Sequence, residues 1–162
     1  MSDVSYKTDG FVSYELAEWA HGLRYEDLSA EAIERAKLFW FDSLGCAVGG
    51  SQQKDARILL EHHRQMAELS GAGHDGKAGG DGGGRRGCTC FVSGFRTNPV
   101  DAAFLNSHMI RAMDYNDIYW KADPSHPSDI LGAPLAACEM NGLSGKDLIL
   151  ATVIAYEIEM RM

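Results

Sequence analysis

Between residues 111 and 129 the chain runs Arg111-Ala112-Met113-Asp114-Tyr115-Asn116-Asp117 and then, nine residues on, His126-Pro127-Ser128-Asp129. A guanidinium, carboxylates, an amide, a phenol and an imidazole are gathered here between segments that otherwise read as apolar helix. Burying an ionised carboxylate without a partner is costly, so such a cluster is solvated at a surface, paired internally, or kept for chemistry. Asp114 and Asp117 are three residues apart, and a helix continuing through them would place both on one face, with Arg111 a turn earlier. An Arg111–Asp114 pair on that face would keep Asp114 ionised and leave Asp117 for another partner. His126 stands in a loop bracketed by Pro124 and Pro127, where the backbone rather than helix packing fixes the ring. A histidine held opposite a carboxylate can exchange protons near neutral pH, so the chemistry open to Asp114 and His126 is general acid–base catalysis. Spacing alone favours the alternative of helix capping and surface salt bridges.

Other side chains are weighed the same way. Arg111 and Lys121 are the cations available to clamp an anion, although Arg111 can instead be held by Asp114 or Asp117, and Lys121 can simply be solvated. Asn116 can offer its amide to a substrate carboxylate or cap the preceding helix. Tyr115 and Tyr119 read as packing residues, and His108 reads as a core histidine on an apolar helix. His62, His63 and His74 lack carboxylate or cysteine neighbours at ligand spacing, so no metal is assigned. Cys46, Cys88, Cys90 and Cys138 contain no C-x-x-C pair and read as structural or incidental thiols.

The elements that must position these groups are mostly helices. Ser13 is a candidate N-cap for a helix carrying Leu16, Ala17, Ala20 and Leu23, and Ser29 caps a stronger one from Ala30 to Val48. In that second helix Ile33, Ala36, Trp40, Leu44 and Ala47 recur at helical spacing, and Gly49-Gly50 is expected to end it. Lys54 to Leu69 reads as an amphipathic helix with Ile58, Leu59, Met66 and Leu69 inward. Residues 71–87 hold nine glycines in seventeen positions, too little apolar surface to offset chain entropy, and are expected to form a flexible loop. No strand precedes this segment and no Gly-Lys-Ser/Thr ends it, so it is a poor phosphate loop. Cys88 to Val92 is a strand candidate, with Phe95 to Thr97 as its partner in a small hairpin.

Asn98-Pro99 opens a helix expected to send Val100, Ala103, Phe104, Ser107 and Ile110 to the core, leading the chain into the polar cluster. Pro124 and Pro127 impose a loop, and Ser128 or Asp129 is expected to cap a helix through Ile130, Leu131, Leu135, Ala136 and Cys138, ended by Asn141-Gly142. Ser144 with Asp147 forms a capping-box variant for a last helix through Leu148, Leu150, Val153, Ile154 and Ile158. That helix is apolar nearly all round and expects to be surrounded, which, with the chain stopping at Met162, reads as part of something larger.

The chain's 162 residues and 45% hydrophobic content fit one globular domain of all-α, bundle-like class with at most a small hairpin near 88–97. A net charge of −8 without a basic tract argues against nucleic acid or an anionic membrane as partner. The opening residues carry no secretory pattern and no apolar run approaches a membrane span, so a cytoplasmic protein is expected.

The pattern resembles the N-terminal, all-helical part of the MmgE/PrpD family, whose members include 2-methylcitrate dehydratases and cis-aconitate decarboxylases. The weaker pieces are Arg35-Ala36-Lys37 through Ala47, Cys88-Thr89 through Gly94, Pro99 to Ala103 and Ala155-Tyr156-Glu157-Ile158; the specific ones are Asn106 to Asp117 and His126 to Asp129. The resemblance implies that Asp114 and His126 belong to an active site. It also implies that Arg111, Asn116, Asp117 and Lys121 are the groups at hand to hold substrate. The implied chemistry is loss of water from a hydroxy tricarboxylate without an iron–sulfur cluster or other cofactor. Arginine at 111 with Asp-Tyr-Asn-Asp and His-Pro-Ser-Asp looks closer to the dehydratase branch, while residues 118–125 depart from it and the glycine-rich insert looks longer than usual. Members of the family are longer and place a mixed α/β lid domain after the helices, with further histidine and lysine site positions. The 162 residues are then a partial domain without that lid, forming one wall of a site, with negligible activity alone. Homodimers formed through the helical domain are also implied.

Overall fold

The computed structural model describes residues 10–69, 87–121 and 124–161. Helix α1 spans Val12–Gly22, α2 Ala30–Gly50, α3 Lys54–Leu69, α4 Pro99–Arg111, α5 Gly132–Asn141 and α6 Gly145–Glu159. Strands β1 (Cys88–Thr89) and β2 (Arg96–Thr97) pair antiparallel, as do β3 (Tyr119–Trp120) and β4 (Pro124–Ser125). The fold is mainly α, as the hydrophobic periodicity predicts. The glycine-rich stretch from 71 to 86 lies outside the described residues.

Local chemistry explains most boundaries. Ser29 accepts a hydrogen bond from the Ala32 amide and starts α2. Asn98 does the same for the Asp101 amide, with Pro99 at the first helical position of α4. Ser144 and Asp147 close a reciprocal capping box on α6, and Gly142 ends α5 in the left-handed conformation at φ 63°. Helix α1 departs from expectation: it begins at Val12 without a side-chain cap, Ser13 lies inside it, and none of its residues is buried.

The core forms where α4 packs between α2 and α5, with α6 set against α2 and α5. Trp40, Ala47, Ala56, Met109, Ile110, Leu131 and Tyr156 make one cluster; Cys88, Cys90, Phe95, Ala102, Leu105 and Ala136 make another beneath the first hairpin. Trp40 donates its indole N–H to Thr152 Oγ1 at 2.8 Å, so the polar atoms at the α2–α6 seam satisfy each other. Buried Asn106 accepts from the Phe91 amide and donates to the Thr89 carbonyl, fastening the hairpin to α4.

Three sequence expectations about faces and ends are corrected. Helix α2 ends at Gly50, so the glycines are its last two residues rather than the first beyond it, and they let it approach α4, since a Cβ on Gly50 would stand 1.9 Å from the Met109 carbonyl oxygen. In α4, Val100 and Phe104 face outward; Ile110 is buried as expected, and Ala102, Leu105, Asn106 and Met109 are buried with it. In α3, Ile58, Met66 and Leu69 are exposed and Ala56 is the buried residue, while in α2 Leu44 is exposed and Ser43 and Cys46 are buried. The reason is common to all three helices: an apolar stripe broader than its contact offers several faces, and the neighbouring helix selects one. The expected Cys88–Val92 strand is limited to β1, with Val92 at φ 63° and Gly94 at φ 66° turning the chain back.

Candidate active site

Helix α4 ends at Arg111, before the acidic residues. The Asp114 amide bonds back to the Arg111 carbonyl and Asp114 takes φ 55°, a left-handed conformation that aspartate tolerates better than most residues. The predicted helical face shared by Asp114 and Asp117 therefore does not form. Instead the chain turns at Asp114, and the two carboxylates serve different neighbours.

Asp114 is exposed and points along the surface. Arg111 Nη1 lies 2.8 Å from Asp114 Oδ1 as an ion pair, and Arg111 Nε lies 3.8 Å from Asp129 Oδ2. His126 Nε2 stands 3.9 Å from the same Asp114 oxygen, so Asp114 is held between guanidinium and imidazole. The other ring nitrogen, His126 Nδ1, is 2.7 Å from the Asp117 backbone carbonyl. A carbonyl oxygen can only accept, so Nδ1 carries a proton, and in the neutral ring Nε2 is the free base turned toward Asp114.

Asp117 is half-buried, and its carboxylate is fully engaged within the chain. Oδ1 accepts from the Ser128 amide at 3.0 Å and Oδ2 from the Tyr156 hydroxyl at 2.9 Å. Asn116 is buried and donates its amide to Ser128 Oγ and Asp129 Oδ1, both at 2.8 Å, while its own Oδ1 has no partner among the described residues. Ser128 and Asp129 thus bind this loop rather than cap α5, which begins after a 3-10 turn at Pro127–Ile130 with no side-chain cap. Lys121 is exposed beside β3 and pairs with no acidic group among the described residues. Arg111, Asp114, Asn116, Asp117 and His126 converge; Lys121 stays at the margin.

Two residues of α6 complete the cluster. Tyr156 is buried, stacks on Phe39 with centroids 4.8 Å apart, and reaches Asp117 with its hydroxyl. Burial, reinforced by the Asp117 charge, pushes the phenol far above its usual range, so it remains a donor. Glu159 has a buried Oε2 without a hydrogen-bond partner among the described residues. Burial, followed by the charges of Asp129 and Asp117, raises its carboxyl above the ordinary range. Asp129 is raised as well, by burial first, with Arg111 and the Asn116 amide opposing. The sequence signal for these residues is Thr152, Tyr156 and Glu159 at positions i, i+4 and i+7 of an otherwise apolar helix, which puts three polar groups on one inward stripe.

Groups outside the cluster do other work. His63 and His108 lie 3.3 and 3.2 Å from Asp101 and Asp55 and join α3 to α4. The four cysteines are free and buried; burial pushes the Cys90 thiol up to about 12, which makes it a poor nucleophile. Among the described residues no three His, Cys, Asp or Glu side chains form a group that could hold a metal ion, and no helix is long and apolar enough to cross a membrane.

Known proteins share this arrangement of sequence. Cis-aconitate decarboxylase from Aspergillus terreus is 29% identical over 155 residues, covering 90% of this chain and 28% of that protein. The mitochondrial 2-methylcitrate dehydratase of Yarrowia lipolytica is 28% identical over 172 residues, covering 98% of this chain and 29% of its own length. The 2-methylcitrate dehydratase of Escherichia coli is 36% identical over a shorter stretch of 75 residues, 40% of this chain and 16% of that one. The chain therefore spans less than a third of the length of these curated relatives. The family model described as MmgE/PrpD N-terminal domain matches residues 14–162, the segment that carries every group described above, and the chain belongs to the MmgE/PrpD family.

Proposed function

We propose that the chain supplies one wall of the active site of a lyase that removes water from a hydroxy tricarboxylate, in the manner of a 2-methylcitrate dehydratase. The observation that carries this reading is the His126 ring, whose Nδ1 is occupied by the Asp117 carbonyl and whose Nε2 faces Asp114. Nε2 takes a proton from the carbon next to a substrate carboxylate, and Asp114 pairs with the imidazolium that results. The C–H electron pair becomes the new double bond, the C–O bond breaks, and the hydroxyl leaves as water on receiving a proton from a second acid group that the residues described above do not supply. Arg111 steadies Asp114 and offers its outer edge to a substrate carboxylate, with Lys121 as a second cation at the rim. Asn116 and Asp117 hold the loop that carries these groups, and Asn116 Oδ1 remains open for a donor.

The local charge balance sets a condition on that chemistry. Asp114, Asp117, Asp129 and Glu159 outnumber Arg111 and His126, so a tricarboxylate needs further cations from outside these residues. We therefore expect negligible turnover from the 162 residues alone. A second reading is decarboxylation of cis-aconitate, favoured by the Aspergillus terreus relative, with a protonated His126 delivering a proton to the carbanion left by carbon dioxide. A non-catalytic helical pairing module is the third, and pairing with a second copy is compatible with either enzyme reading.

The test is product analysis of this domain within a chain of the length its curated relatives have, incubated separately with 2-methylcitrate and cis-aconitate. Dehydration is expected with the first acid, and His126→Ala is expected to lower it by about 100-fold or more. Carbon dioxide release from cis-aconitate would move the assignment to the decarboxylase reading. Unchanged turnover in a folded His126→Ala protein would leave the cluster a structural role.

A further inference from the structure

We infer that Tyr156 is a positioning residue for His126, acting through Asp117. The inference rests on the reading of His126 as the proton-transfer group, and its geometry spans two elements. Helix α6 delivers the Tyr156 hydroxyl to Asp117 Oδ2 at 2.9 Å, the Ser128 amide reaches Oδ1 at 3.0 Å, and the backbone carbonyl of the same Asp117 receives His126 Nδ1 at 2.7 Å. One aspartate thus ties α6 to the catalytic ring, by its side chain on one side and its peptide on the other.

A packing role does not account for the hydroxyl. Phenylalanine would fill the same volume and keep the stack on Phe39, whereas a buried hydroxyl is tolerated only when it is hydrogen-bonded. The bond it makes is to a carboxylate in an acid-rich neighbourhood, with Asp129 and Glu159 close enough to perturb one another. Without the phenol, Oδ2 loses its donor and the Asp117 side chain turns toward solvent. The Ser128 bond and the Asp117 carbonyl are then no longer fixed, and the ring loses the acceptor that selects which nitrogen carries the proton.

Nitrogen-15 spectra of the histidine-labelled 162-residue chain read that proton directly, with His126 assigned by its absence in His126→Gln. The neutral ring is expected in the Nδ1–H form, and Tyr156→Phe is expected to lower the ratio of Nδ1–H to Nε2–H about tenfold, the worth of one net hydrogen bond. Phe39→Leu, which weakens the stack and keeps the hydroxyl, is expected to leave the ratio in place. An unchanged ratio in a folded Tyr156→Phe chain overturns the inference, as does an equal change in Phe39→Leu. If Tyr156→Phe does not fold, the unsubstituted chain decides: a slowly exchanging Tyr156 hydroxyl proton with a cross-peak to the Ser128 amide proton supports the role, and its absence overturns it. Turnover does not enter these spectra, so a failed dehydratase assignment and a failed positioning role give separate results.

Discussion

At the scale of single residues, identical carboxylates behave differently because their partners differ. Asp114 is exposed and shared between Arg111 and His126, Asp117 is consumed by internal donors, and Glu159 has a buried oxygen with none among the described residues. Glu159 also closes α6, where the helix dipole disfavours negative charge. Its carboxyl is raised above the ordinary 4.5 on folding, mainly by burial, so the native state holds its proton more tightly than the unfolded chain. Any stability linked to that proton is present below the unfolded value and is lost as pH rises through the folded one. Glu159→Gln is therefore expected to raise the thermal midpoint by a few degrees at about pH 7.5 and to have little effect at about pH 4. Melting curves at both pH values check this, and equal midpoints for the two proteins at the higher pH would show that the charge costs the fold nothing. Asp129 shifts in the same direction, so the substituted chain should retain a weaker pH slope of the same sign.

At the scale of elements, the two glycines ending α2 combine a helix stop with a close interhelical contact. The backbone of α4 occupies the space where a Gly50 side chain would stand, whereas Gly45 has nothing within 4 Å of its would-be Cβ. Gly50→Ala is expected to force α2 from α4 and to cost ~1–3 kcal/mol or more, as overpacking does. Gly45→Ala is expected to gain ~0.5–1 kcal/mol, because alanine loses less chain entropy in a helix. Urea unfolding of both variants measures the contrast, and a similar loss in both would mean that helix propensity rather than close approach sets the response. Because α4 leads directly into Arg111, the α2–α4 spacing also sets the height from which the site loop departs.

At the scale of the molecule, α2 carries Leu38, Phe41, Leu44 and Val48 along the side opposite its buried face, with Phe41 79% exposed. Exposed apolar stripes are a common feature of interaction surfaces. The proposed pairing with a second copy makes a definite expectation: sedimentation equilibrium should show a dimer that Phe41→Glu weakens about tenfold or more, since a carboxylate there would have to be desolvated. A monomer at every concentration for the unsubstituted chain would remove this pairing. The acidic site cluster sets a molecular-scale condition on the proposed reaction, because a tricarboxylate would need more cations than Arg111 and Lys121 supply.

Much of this architecture is legible in the sequence. Helices α2 to α6 follow from caps at Ser29, Asn98 and Ser144, the left-handed stop at Gly142 and helical periodicity, all of which act within a few residues. The polar cluster and its kinship with a lyase family are legible too, because those residues are close in the chain. What the tertiary structure alone decided is which face of each helix is buried, where α4 stops, and which distant groups join the cluster. Tyr156 meets Asp117 across 39 positions, and the indole of Trp40 meets Thr152 across 112. Caps and periodicity are local energies that the chain carries with it, whereas a buried hydroxyl finds its carboxylate only after the helices have packed and excluded water from both.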